Sequence, residues 1–562
     1  MATRKKANQT KHEITARKQR FLIARRPSQT LPQDVEPMDF SILEKALGAD
    51  GEIELLERMN QQEGDATFIV STSSEHAELL QKRFANKVII EADLELDMFD
   101  QPQEPWLDLA RDPGLEVSSE EETEVKISVQ NNSSKPVVNA TVYLIGSLFP
   151  IKGLTDENGE VVLSLLGDSV ESLKGLYIKP RDSYWSLWID NPNLNSEQIN
   201  SVKLRSLSED GEDSNDQAGF PNQEIYPWGH AAMAADKLKS EFRGNGVKVV
   251  IIDSGLSVEH SDLNASSGFD FTNDEDSETS WRQDTVTHGT HVAGTVAALH
   301  DENGIRGFAP EADLMVLKIF PGGRFSDLIK SLDKCINEQV DVINLSLGSR
   351  KKSELLQQKL QQAKKNGVAC IAAAGNSGDQ VQYPAAFSEV LAVAAIGKVG
   401  AFPEDSYHQR QIGEHNSTNG QYFSARFTCF GEEVDVCAPG VGVLSTVPGG
   451  GYAAWDGTSM ACPHVVGITA VLLQARDDIR NMKRDDKRVD ALFTALKNGC
   501  KSLGLPTTHQ GAGMPSAVKL GIATETNDDI SDDQSDSVLD RLDQILAEAL
   551  TIARKDLSKA SA

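Results

Sequence analysis

The chain has 562 residues, more than one hydrophobic core can serve, so two to four domains are expected. Its hydrophobic content of 39% is ordinary for a soluble protein, and its formal net charge of −29 argues against nucleic acid or anionic membrane as the main partner. No uninterrupted apolar run is long enough to span a bilayer. The basic start Met1-Ala2-Thr3-Arg4-Lys5-Lys6 leads into polar residues, so no secretory signal is visible. Six cysteines are scattered, with no CxxC pair and no zinc-like cluster. Most sit in apolar surroundings and read as reduced core thiols, although a Cys429–Cys437 disulfide stays open. The expected location is cytoplasmic, with export lacking a recognisable signal peptide as the alternative.

In chain order, residues 1–19 read as a disordered basic tail. Residues 20–100 show a small α/β pattern. Strands are expected at Phe21-Leu22-Ile23, Thr67-Phe68-Ile69-Val70 and Lys87-Val88-Ile89-Ile90-Glu91, and helices over 40–59 and 73–84. A Pro/Asp-rich linker covers 102–113. Short alternating strands over 114–205 predict a β-sandwich of immunoglobulin-like or related topology, with a hairpin turn at Asp156-Glu157-Asn158-Gly159. Tyr184-Trp185-Ser186-Leu187-Trp188 reads as a core strand, or else as a carbohydrate or protein contact. An acidic linker spans 206–222 and suits cleavage. Over 223–523, buried strand runs alternate with helices, which predicts a parallel sheet with helices on both faces and ligands at the carboxyl ends of its strands. Residues 524–562 form an acidic tail with a helical pattern at Leu539, Leu542 and Leu546.

Three stretches of the 223–523 segment carry chemistry. Ile251-Ile252-Asp253-Ser254-Gly255 puts an acid at the end of a buried strand. His288-Gly289-Thr290-His291-Val292-Ala293-Gly294 opens a small-residue helix with a histidine. Gly457-Thr458-Ser459-Met460-Ala461-Cys462-Pro463-His464 opens a long apolar helix with a serine. Unpaired N–H groups give such a helix start partial positive charge. Taken singly, each is an ordinary turn, cap or structural residue. Taken together they supply the three groups that serine hydrolysis needs. A hydroxyl is a poor nucleophile, an imidazole can take its proton, and a carboxylate can hold the imidazole and stabilise its charged form.

In the order Asp, His, Ser, these stretches resemble the subtilisin-like serine proteases (subtilases, peptidase family S8). The resemblance covers about 227–523 and extends to Gly307-Phe308-Ala309-Pro310, Asn344-Leu345-Ser346-Leu347-Gly348 and Ala373-Ala374-Gly375-Asn376-Ser377-Gly378. It implies a three-layer α/β fold and a serine endopeptidase acting on proteins or peptides. Asp253 would orient the base His288, Ser459 would attack, and Asn376 would join the Ser459 N–H in an oxyanion hole. One departure is Thr287, where the family usually has Gly; it is expected to alter the local turn and not the chemistry.

The same resemblance implies further sites. Ser346, Leu347 and Gly348 would pair with extended substrate and wall the first specificity pocket opposite Ala373, Ala374 and Gly375. These small apolar walls suggest a preference for apolar or aromatic residues before the cut bond. A structural calcium ion would be held by Asp262, by Leu299, Asp301, Asn303 and Ile305 of the loop after the histidine helix, and by Glu224 or Gln223. Residues 20–100 resemble the family's inhibitory propeptide, which implies a precursor inhibited by its own N-terminal domain. The sandwich between propeptide and peptidase departs from that pattern. Cleavage is expected in 206–222, with 100–113 as the second choice.

Overall fold

The structure is a computed structural model. It describes residues 18–27, 31, 36–59, 67–84, 87–98, 122–146, 150–208, 219–273 and 275–524. The basic tail up to 17, the 102–113 linker and the acidic tail beyond 524 lie outside the described residues.

The N-terminal unit contains β1 (Lys18–Arg25), α1 (Phe40–Gly48), β2 (Glu54–Met59), β3 (Thr67–Ser73), α2 (Ser74–Phe84), β4 (Val88–Ala92) and the short β5 (Asp97–Met98). Its four-stranded sheet has the order β2-β3-β1-β4, antiparallel throughout. Side chains alternate across that sheet, and both faces are apolar. Phe21, Ile23, Phe68 and Val70 pack under the two helices with Leu43 and Leu80. Leu22, Ala24, Ile69 and Ile89 join the core of the large domain. The helix expected over 40–59 ends at Gly48. Asp50 and Gly51 turn the chain, and Glu54–Met59 leaves as a strand. The Asp-Gly dipeptide is a turn signal that outweighs the apolar spacing around it.

Seven strands follow: β6 (Glu122–Asn131), β7 (Thr141–Ile145), β8 (Ile151–Leu154), β9 (Glu160–Leu166), β10 (Gly175–Lys179), β11 (Leu187–Asp190) and β12 (Ile199–Leu204). They form two sheets, ordered β11-β10-β7-β8 and β12-β6-β9, around one shared core. The Asn158-Gly159 turn is present, with Gly159 at φ +74. It does not close a hairpin, because β8 pairs with β7 and β9 pairs with β6 in the other sheet. Trp185 and Trp188 are buried against the large domain, so the aromatic cluster is a contact within the chain. Trp185 meets His408 edge-on at 5.6 Å, and Tyr177 packs on Tyr407 at 4.5 Å. Arg410 lies 4.4 Å from the Trp188 ring and 2.9 Å from Asp190.

The large domain is built on β13 (Lys248–Asp253), β14 (Ser267–Asp270), β15 (Asp313–Lys318), β16 (Val342–Leu345), β17 (Leu347–Gly348), β18 (Ala369–Ala373), β19 (Leu391–Lys398), β20 (Ile412–Asn416), β21 (Tyr422–Ala425) and β22 (Val436–Pro439). Its main sheet runs β14-β15-β13-β16-β18-β19-β21-β20, with β22 also on β19. The sheet is parallel from β14 to β19, as near-continuous apolar strands require. The β19-β21-β20 edge is antiparallel, which the purely parallel expectation lacked. Four helices position the site: α3 (His288–Ala297), α4 (Phe325–Asn337), α5 (Glu354–Lys365) and α6 (Thr458–Ala475). Among the described residues, α6 is the one helix long and apolar enough to cross a bilayer, and it is a buried core helix.

The N-terminal unit docks on the starts of α4 and α5. The N–H and hydroxyl of Ser326 donate to Asp93, at 3.0 and 2.9 Å. Ser353 Oγ and the N–H of Glu354 donate to Glu91. Two carboxylates thus sit at two helix N-termini, where orphan donors and the helix dipole favour negative charge. Beyond β4 the chain enters the cleft. The N–H of Leu96 bonds to the Gly323 carbonyl at 2.8 Å, and that of Phe325 to the Leu94 carbonyl at 3.1 Å. On the other side β5 pairs antiparallel with β17, Met98 opposite Leu347 and Asp97 opposite Gly348.

Candidate active site

Asp253 ends β13 and His288 begins α3, so the parallel sheet and its crossover bring the two together at the carboxyl edge. His288 Nδ1 lies 2.8 Å from Asp253 Oδ1 and 3.0 Å from Oδ2, and both side chains are 1% exposed. An ionised carboxylate only accepts, so Nδ1 carries the ring proton and Nε2 is the basic nitrogen. The start of α3 is tied down by Asp284, which the sequence reading did not single out. Its Oδ1 accepts from Ser254 Oγ and from the N–H groups of Val286 and Thr287; its Oδ2 accepts from the N–H and hydroxyl of Thr290. Thr287 itself has φ +79. The turn therefore keeps a left-handed form, which costs a β-branched residue about 1–2 kcal/mol.

Ser459 is the second residue of α6, and its N–H is among those that lack an intrahelical partner. Its hydroxyl donates to the Ser346 carbonyl at 3.2 Å, and Ser346 Oγ donates to the Ser459 carbonyl at 2.9 Å. The second bond has a cause in the sequence. Pro463, four residues on, has no N–H for that carbonyl, and Ser346 supplies the missing donor. Pro463 thus lies in the second helical turn. Asn376 follows β18. Its Oδ1 accepts from the N–H and hydroxyl of Thr458, at 2.9 and 2.8 Å, which turns the amide NH2 away from Thr458. A base held by a carboxylate, a hydroxyl at a helix start and an oriented amide together suit acyl transfer.

The segments expected to wall the specificity pocket, Ser346, Leu347 and Gly348 and Ala373, Ala374 and Gly375, are joined through Gln382 and Tyr383. The N–H of Gln382 bonds to the Ala374 carbonyl at 2.9 Å, and Tyr383 exchanges two bonds with Ser349. Gly375, at φ +115, leaves no room for a Cβ, which would fall 3.0 Å from Gln382 Cγ. One end of the Gln382 carboxamide is anchored to Ser377 Oγ at 3.1 Å; the other is buried without a hydrogen-bond partner. A polar carboxamide therefore lies beside Ala374 and Gly375.

Residues 244–513 match the Subtilase family of peptidases. The chain is 38% identical over 279 residues to subtilisin of Bacillus pumilus, covering 48% of this chain and 92% of that protein. It is 36% identical over 296 residues to subtilisin BL of Lederbergia lenta, covering 52% and 97%. It is 36% identical over 259 residues to an intracellular serine protease of Paenibacillus polymyxa, covering 44% and 73%. The chain belongs to the Subtilase family. It has the α/β subtilisin fold and is a serine-type endopeptidase, a hydrolase of peptide bonds.

Two accessory expectations for this subtilase bear on stability. Asp262, between β13 and β14, is buried; its Oδ2 accepts from Tyr452 Oη and the Ile305 N–H, while Oδ1 is buried without a partner. Asp301 and Asn303 lie in the loop after α3, bonded to one another. Glu224 departs from the expected ligand role. Its carboxylate is held by Arg306 Nε on one oxygen and by the Asp301 N–H on the other. No group of three or more His, Cys, Asp or Glu side chains converges on a metal position among the described residues. All six cysteines are free thiols. Burial pushes the Cys462 thiol well above the usual range, and its Sγ donates to the Ile371 carbonyl. A thiol held in that form is a poor target for oxidation, despite its closeness to Ser459.

Proposed function

We propose that this subtilase is an autoinhibited endopeptidase precursor. Ser459 attacks the scissile carbonyl. His288 takes its proton and returns it to the leaving amine, and Asp253 stabilises the imidazolium. The Asn376 amide and the Ser459 N–H receive the oxyanion. The N-terminal unit is the intramolecular inhibitor, and the two-sheet unit stays with the peptidase after processing.

The observation that carries this reading is the segment from Leu94 to Met98, bonded between Gly323–Phe325 on one side and β17 on the other. Extended substrate docks by strand addition of this kind. Continuing the register past Met98 brings the chain towards Ser346 and Ser459, so the first cut is expected in 99–113. The 206–222 stretch is the poorer choice, because Leu207 and Phe220 near its ends are buried. Intact-mass analysis of wild type and Ser459→Ala tests the proposal. Wild type should release an N-terminal fragment ending within 99–113, and Ser459→Ala should stay whole. Loss of the fragment from both chains, or from neither, would sink it.

Calcium at the loop after α3 belongs to the same reading. The unpartnered Asp262 Oδ1, with Asp301 and the loop oxygens of Leu299, Asn303 and Ile305, suits an oxygen-seeking cation. Its contribution would be structural. Chelation should lower the Tm of wild type and leave Asp262→Asn unmoved; equal shifts in both would argue against the site. Six free, mostly buried thiols support a reducing compartment.

A further inference from the structure

Between the two-sheet unit and the peptidase lies a pocket of about 240 Å³. Tyr143, Lys179 and Arg181 line it from one side, and Thr287, Pro448 and Trp455 from the other. Its position relative to the chemistry follows from its walls. β5 and β17 occupy the acyl side of Ser459. In the proposed reaction the His288 imidazole protonates the departing amine, and Thr287, in the pocket wall, immediately precedes it. Trp455 lies four residues before Ser459. The pocket therefore flanks the path of the chain that leaves after cleavage.

Four further observations bear on what it takes. Its lining includes two cations and no acidic residue, in a chain of net charge −29. Lys179 Nζ lies 5.6 Å from the Trp455 ring centre, and the same ring stacks on His291 at 4.5 Å, so the indole is held in place. Arg181 Nε is 3.8 Å from Asp182 Oδ2, at the edge of an ion pair. Thr287 holds its branched side chain against the pocket in a left-handed conformation that glycine would adopt without strain.

We propose that Lys179 and Arg181 of the two-sheet unit, with Thr287 and Trp455 of the peptidase, form a substrate subsite on the leaving-group side that receives an acidic side chain. The unit is thereby a part of substrate recognition. This rests on the reading of Ser459 as nucleophile. A carboxylate of the bound peptide meets two cations beside an aromatic wall, and a basic side chain there is repelled.

The test uses processed wild-type enzyme, a nitroanilide substrate with no residue beyond the cut bond, and quenched peptides carrying Glu or Lys in the first three positions after it. Wild type should turn over the nitroanilide and favour the Glu peptides by about ten-fold in kcat/KM. That ratio should shrink towards one at about 1 M salt, where screening is nearly complete. The double substitution Lys179→Glu, Arg181→Glu should invert the ratio, which is internal to each preparation. Turnover of the nitroanilide with equal rates for both peptides would overturn the subsite alone. No turnover of the nitroanilide would overturn the nucleophile assignment and the subsite with it. Should the doubly substituted chain not fold, the wild-type ratio and its salt dependence still decide.

Discussion

Asp284 collects five hydrogen bonds at the turn into α3, and Ser254, one of its donors, accepts from the Gly289 N–H at 2.9 Å. Removing this carboxylate strands several buried donors at once, and each costs about 1–3 kcal/mol when left unpaired. Asp284→Ala is expected to lose about 3 kcal/mol of stability or more, and kcat should fall by up to about 100-fold as His288 drifts, with KM little changed. Thermal unfolding and active-site-titrated kinetics check both; an unchanged kcat per titrated site would refute the positioning role. Gln382 supports a second prediction. Its half-satisfied carboxamide is expected to favour substrate side chains that can hydrogen-bond there and to penalise purely apolar ones. Gln382→Ala should raise kcat/KM for Phe before the cut bond by about 10-fold relative to Gln. A profile of peptides varied at that position measures it, and an unaltered profile would remove Gln382 from the pocket. The residues of the triad stretches were legible because serine chemistry demands those types in small-residue settings. Asp284 and Gln382 were not, since each is a single polar residue whose importance lies in partners that only the fold assembles. A capping acid before α3 was the one signal available for Asp284.

At the scale of elements, β13, β15, β16 and β18 were readable as apolar runs, and α2 as an amphipathic repeat. The failures were local contests. Asp50-Gly51 cut the expected 40–59 helix in two, and the Asn158-Gly159 turn joined strands of different sheets. Docking between elements was invisible for a physical reason. Glu91 meets Ser353 and Glu354 more than 260 positions away, and nothing in a local pattern reports that. These contacts make the grip of the N-terminal unit testable. Burial pushes the Glu91 carboxyl up, although the bonds from Ser353 and from the Glu354 N–H pull it down. Losing a helix cap costs about 1 kcal/mol, so Glu91→Ala with Asp93→Ala should weaken docking by about 2 kcal/mol. In the uncleaved Ser459→Ala background, amide exchange from Leu94 to Met98 should speed up by about 10- to 30-fold. Unchanged exchange would mean that the apolar face of the sheet alone holds the unit.

The whole molecule carries a net charge of −29, and acid would relieve its self-repulsion by protonating carboxylates. An opposing effect sits in the core. His230, His291 and His464 are fully buried, and burial holds the first at about 4, the second at about 3 and the third well below the ordinary value. Each donates from one ring nitrogen to a backbone carbonyl: His230 to Thr295, His291 to Val443 and Ala453, and His464 to Met460. In each the second nitrogen is buried without a partner. A second proton would create an unpaired buried cation. The sign follows from linkage. The folded values lie below the unfolded value of about 6.5, so the unfolded chain binds more protons between them. The stabilisation is complete above pH ~6.5 and is lost as pH falls towards 4 and below, at up to about 1.4 kcal/mol per unit for each histidine. Surface repulsion is screened within about 8 Å at physiological salt, so the buried term should win. Tm at constant physiological ionic strength should therefore fall between pH 7 and pH 5. A rise over that interval would show that carboxylate repulsion, and not the histidine core, governs the acid response of this subtilase.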